Sequence, residues 1–204
     1  MCNKKPTGKN FPFVKSQRGF SLIEVMVSVM VLAVGLIGAV GLQVFAFRTT
    51  QQSTFQTVAL ELAADMAEKM RANTSEMKQS DGNNAYLISD YSALDQNLKA
   101  PSKLCISESV DCNAQELAAF DIYEWKKRLK TALPSGRAVI CRDAKAWDVN
   151  TKAFTWTCDA STSENASLVI KLGWQGKNPD GSLIRDANKQ FPPSVALTVM
   201  PYIK

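Results

Sequence analysis

Gly19-Phe20-Ser21-Leu22-Ile23-Glu24 separates two stretches of opposite character. Upstream lie Lys4, Lys5, Lys9, Lys15 and Arg18, with no acidic residue before Phe20. Downstream, Val25 to Phe47 carries no charged side chain. A run of this length meets the requirement of about 20 residues for a helix that crosses a bilayer core. The Glu24 carboxylate therefore sits just inside a segment suited to hydrocarbon. A charge at the centre of such a helix costs roughly 2.5–3.5 kcal/mol on insertion scales, and less near its end. Glu24 calls for a neutralising partner.

A secretory signal peptide has a shorter apolar core and is cut after it. Here the small residue suited to cleavage, Gly19, precedes the apolar run, so a cut there leaves the helix on the product. The basic flank keeps the N-terminus cytoplasmic and sends the rest outward. Gly35, Gly38 and Gly41 are spaced three apart inside the run. They allow close helix packing, or they mark a weak stretch, since an interior glycine costs up to about 1 kcal/mol relative to alanine.

The 204-residue chain has a formal net charge of +5. Removing the first nineteen residues leaves nineteen basic against nineteen acidic side chains. That neutrality argues against a nucleic-acid partner, local patches such as Lys126-Lys127-Arg128 notwithstanding. Of five cysteines, Cys2 falls in the leader, and Cys105, Cys112, Cys141 and Cys158 remain. An even count behind a membrane segment reads as two disulfides in an oxidising compartment. Three connectivities are open, and sequence-local pairing, Cys105–Cys112 with Cys141–Cys158, is the expectation. With no histidine and no Cys-x-x-Cys, a metal site is not expected. The same lack of histidine removes the usual general base and the Ser-His and Cys-His pairs, so no catalytic residues and no cofactor are expected. Asp143, Asp148 and Asp159 are scattered and read as solvated.

Helical character continues past the apolar run. Val58, Leu62, Ala63, Met66 and Met70 recur at helical spacing, and no proline or glycine interrupts Gln43 to Asn73. One helix from about Phe20 to Arg71 is predicted. Thr74 to Asn113 is polar and turn-rich. A second helix is expected from near Asn113 to about Leu133, stopped by Pro134-Ser135-Gly136. Strands are expected at Arg137–Arg142, Ala153–Cys158, Leu168–Trp174 and Ser194–Tyr202. Sequential strands without helical crossovers imply an antiparallel sheet, hence an α+β head. A Cys141–Cys158 bond would tie the first two of these strands. The expected division is 1–19 basic leader, 20–47 apolar helix, 48–73 amphipathic continuation and 74–204 head.

These residues together resemble the type IV pilins and pseudopilins. The match runs through Gly19-Phe20-Ser21-Leu22-Ile23-Glu24-Val25-Met26-Val27 and the apolar run behind it, covering about Gln17 to Phe47. Leu62 to Asn73, Trp125-Lys126-Lys127-Arg128-Leu129, Leu133-Pro134-Ser135-Gly136-Arg137, Ile140-Cys141 and Leu168–Trp174 look like PilV-type minor pilins. The resemblance implies a pilin-like fold, a long N-terminal helix leading into a helix packed on an antiparallel sheet. It implies that a prepilin peptidase cuts between Gly19 and Phe20 and methylates the new Phe20 amine. It further implies that Glu24 pairs with the Phe20 ammonium of a neighbouring subunit during assembly. The implied partners are that peptidase, other minor and major pilins, and the cytoplasmic membrane before assembly, with the head periplasmic and later on the filament. Gly41 replaces a proline common in major pilins, and four cysteines replace a single C-terminal loop, which favours a minor subunit. A type II secretion pseudopilin and a tip adhesin or DNA-binding minor pilin are the alternatives.

Overall fold

A computed structural model describes residues 19–94, 98–107, 110–159, 166–178, 180–185 and 191–199. The chain divides into two compact units, Met1–Gln43 and Val44–Lys204. Helix α1 spans Leu22–Ala72. Within the second unit, Ala59, Leu62, Ala63, Met66, Ala67 and Met70 form its buried stripe at three- and four-residue steps. Lys69 and Arg71 in its last turn complement the helix dipole. A short helix α2 (Thr74–Met77) follows, capped by the Asn73 side chain.

Helix α3 (Ala114–Ala132) begins at a capping box. The Asn113 side chain accepts from the Glu116 N–H, and the Glu116 carboxylate accepts from the Asn113 N–H. The predicted second helix is present with nearly the predicted ends. Its Trp125 is fully buried and donates from Nε1 to the Leu62 carbonyl of α1 at 2.8 Å.

Strands β1 (Ile88–Ser92), β2 (Arg137–Arg142), β3 (Trp147–Asp148), β4 (Ala153–Phe154), β5 (Leu168–Gly173) and β6 (Val195–Val199) complete the order. The main sheet is antiparallel throughout, in the order β1-β2-β5-β6. Strand β1 was not expected, because its Ile-Ser-Asp-Tyr-Ser sequence lies in a stretch read as turns. It pairs with β2 through an irregularity between Ile88 and Tyr91, which masks simple alternation. Of the expected Ser194–Tyr202 strand, residues 200–202 lie outside the described residues.

Ala153–Cys158 was expected to be one strand of this sheet. Only Ala153–Phe154 is a strand, and it pairs with Trp147–Asp148 in a separate two-stranded hairpin. The rest of that stretch runs over the back of the main sheet. Ile140, Leu168, Ile170 and Leu172 join the core with α1 and α3. By alternation, Val139, Cys141, Val169, Lys171 and Gly173 face the other way. There Trp156 meets Gly173, Thr157 meets Lys171, and Cys158 is bonded to Cys141. Both faces of β5 are thus covered, and all six of its residues are buried.

A methyl group on Gly173 would lie 2.8 Å from both the Pro192 carbonyl oxygen and Trp156 Cζ2. Gly173→Ala is therefore expected to destabilise the head by about 1–3 kcal/mol, the usual range for overpacking. Chemical denaturation of the two proteins, compared side by side, measures the difference.

Candidate functional site

The start of α1 carries the residues singled out from the sequence. Gly19 and Phe20 precede the helix, and Glu24 lies in its first turn. The Ser21 carbonyl accepts from the N–H groups of Glu24 (3.0 Å) and Val25 (3.3 Å), which sets the first turn immediately after Phe20. An acidic side chain in a first turn is favoured by the unsatisfied N–H groups there. Ser28 Oγ donates to the Glu24 carbonyl at 2.7 Å, so this hydroxyl is satisfied within the helix. Phe20 is 85% exposed, and every large apolar side chain from Leu22 to Phe47 is exposed. The apolar window that would fit a bilayer has none of its residues buried within the protein. A Cβ on Gly35, Gly38 or Gly41 would meet nothing within 4 Å, so all three glycines leave open helix surface.

Exposure of so long an apolar surface needs a covering of lipid or protein. The head supplies the contrast, since its apolar side chains close around a core between α1, α3 and the sheet. Cys105 is bonded to Cys112 and Cys141 to Cys158, each with Cα atoms 6.2 Å apart. The first closes a loop immediately before α3. The second joins β2 to the segment crossing the back of the sheet, rather than joining two strands of that sheet.

Two buried polar clusters were missed in the sequence. In the first, Lys69 Nζ lies 2.5 Å from Asp121 Oδ1, and the Tyr86 hydroxyl donates to Asp121 Oδ2 at 3.0 Å. Asn73 Nδ2 donates to the Ala114 carbonyl at 2.7 Å. Burial, followed by the nearby Asp121 charge, pushes the Tyr86 phenol above its ordinary range despite its hydrogen bond with Asn73. This cluster joins α1, α3 and the segment before β1, and its groups are satisfied by one another.

The second cluster corrects the solvated reading of Asp143. Its side chain and that of Lys171 are fully buried, with Nζ 2.5 Å from Oδ2. Asp148, in contrast, is half-buried and turns the β3–β4 hairpin. The Asn150 N–H, then the Thr151 hydroxyl, hold its carboxyl below the ordinary carboxylate range. Asp159 takes part through its backbone N–H, which donates to Asp143 Oδ1 at 3.2 Å. The signal in the sequence was one lysine inside Leu168-Val169-Ile170-Lys171-Leu172-Gly173. Among the described residues, no group of three or more metal-ligating side chains comes together.

An exposed apolar helix with a carboxylate in its first turn, leading into a helix on an antiparallel sheet, is a pilin-like α+β arrangement. Comparison with known families agrees. Residues 41–123 match the family described as Tt1218-like, type IV pilin Tt1218, and residues 14–40 match the prokaryotic N-terminal methylation motif. No curated protein and no solved structure matches the chain. The two matches together run from residue 14 to residue 123 and support a relation to the type IV pilins. The methylation motif implies processing by a prepilin peptidase and assembly with other pilins.

Proposed function

We propose that this chain is a minor pilin of the PilV type that helps to prime or populate a type IV pilus. The observation that carries the reading is the α1 start. Gly19-Phe20 lies directly before a helix whose apolar surface is exposed to Phe47 and whose one early charge is Glu24. A membrane-embedded peptidase cuts after Gly19 and methylates the Phe20 amine. The apolar run holds the subunit in the cytoplasmic membrane with the disulfide-bonded head on the periplasmic side. On assembly, the same run passes from lipid to a filament core of like helices.

Glu24 then meets the Phe20 ammonium of a neighbouring subunit. Opposite charges attract more strongly where the surroundings are less polar, and desolvation takes back much of that gain. The pair therefore acts mainly by fixing register and rejecting misplaced subunits. Glu24→Ala is expected to leave cleavage intact and to reduce incorporation into sheared pili severalfold. Immunoblots of membrane and pilus fractions read both quantities. Normal co-assembly of the variant would sink the pairing role.

The filament itself is tested by deletion, with electron microscopy for pili and a secretion assay in the same strain. Loss of pili with intact secretion supports this reading. Lost secretion with intact pili assigns the chain to a secretion pseudopilus instead.

A further inference from the structure

From the second buried cluster we infer that Lys171 and Asp143 are the two halves of an intramolecular isopeptide bond. Both side chains have zero exposure, and Nζ lies 2.5 Å from Oδ2. That approach lacks the direction of a hydrogen bond: Oδ2 has no hydrogen-bond partner among the described residues. Oδ1 is held differently. It accepts from the backbone N–H of Lys145 at 2.8 Å and of Asp159 at 3.2 Å. Lys171 Nζ also donates to the Thr157 carbonyl at 2.6 Å, which fixes the nitrogen against the carboxyl group.

These contacts match the needs of a condensation. In a dry site, an ammonium beside a carboxylate can pass one proton to Oδ2, leaving an amine and a carboxylic acid. The Nζ lone pair then forms a bond to Cγ of Asp143. Negative charge develops on Oδ1, where the two backbone N–H groups already point, as in an oxyanion hole. A second Nζ proton moves to the neighbouring Oδ2 hydroxyl. The Cγ–Oδ2 bond breaks and water leaves. Lys171 and Asp143 end as a neutral amide, with one water released and no change of oxidation state. Orientation by the fold replaces a dedicated catalyst, since the reaction needs to occur once per molecule.

The product would join β5 to the residue after β2, on the same face as the Cys141–Cys158 bond. It would also remove the buried charge pair. Unlike the disulfide, it would survive reduction, so the back of the sheet would keep one covalent tie in a reducing environment.

The test is peptide mapping of the full chain, purified from membranes, reduced, alkylated and digested with trypsin. The closed form gives Asp143–Lys145 attached to an uncut Ala153–Lys177 peptide, lighter than the separate pieces by one water. Asp143→Asn offers a second check, because closure then releases ammonia and yields the same branched peptide. Lys171→Arg should yield linear peptides cut after position 171. Recovery of linear wild-type peptides, with Lys171 cut by trypsin and labelled by an amine reagent after denaturation, would overturn the inference and leave an ordinary ion pair.

Discussion

Gly19→Val is expected to leave the chain uncut, with the nineteen-residue basic leader still attached and Phe20 unmethylated. The reason is steric and local. Among the described residues nothing lies within 4 Å of the Gly19 Cβ position, so the protein's own structure tolerates a side chain there. On the function proposed above, the demand for glycine lies with the processing peptidase, which would act just before α1 begins at Leu22. Branching at Cβ stiffens the residue and adds bulk next to the bond to be cut. Uncut subunits keep their five leader cations at the cytoplasmic end, and no free Phe20 amine forms to meet Glu24. The expected result is near-complete loss of maturation and of pilus incorporation, with the head still folded. Mass spectrometry of the membrane-bound protein settles it. A normal Phe20 N-terminus in the variant would count against Gly19 as the recognition residue.

Trp125→Ala is expected to cost the head about 3–5 kcal/mol, the range for removing a buried large aromatic side chain. Such a loss is a large share of the roughly 5–15 kcal/mol that stabilises a typical domain. Trp125 is fully buried between α1, α3 and the sheet, and its Nε1 bond to the Leu62 carbonyl pins α3 to α1. Trp125→Phe keeps most of the apolar volume and loses that bond, so its cost should be clearly smaller. Urea titration followed by circular dichroism in detergent compares the three proteins. Equal midpoints for the wild type and the alanine variant would show that this contact is not part of the core.

The element types were largely legible because their signals are local. The α3 start follows from Asn113 and Glu116 alone, since capping is decided within one turn. The buried stripe of α1 follows from three- and four-residue spacing. Gly181 takes φ 92°, a left-handed backbone that favours glycine. Strand β1 was not legible, because a bulged edge strand rich in serine and aspartate has no clean period. Trp156-Thr157-Cys158 looked like a strand for the opposite reason. Its β-forming residues serve to cover a sheet face rather than to pair at its edge.

By itself the sequence determined the helix and its likeness to the pilins. An uncharged run of bilayer length, a glycine before it and a carboxylate in its first turn are statements about spacing and polarity, which need no partner segment. Tertiary structure decided where the head's polar groups go. Asp143 read as solvated, until the back of the sheet proved to be covered and its carboxylate to lie against the buried Lys171. Whether a charge faces water or another charge depends on which distant segment folds over it. The distance between Lys171 and Asp143 along the chain carries no such information.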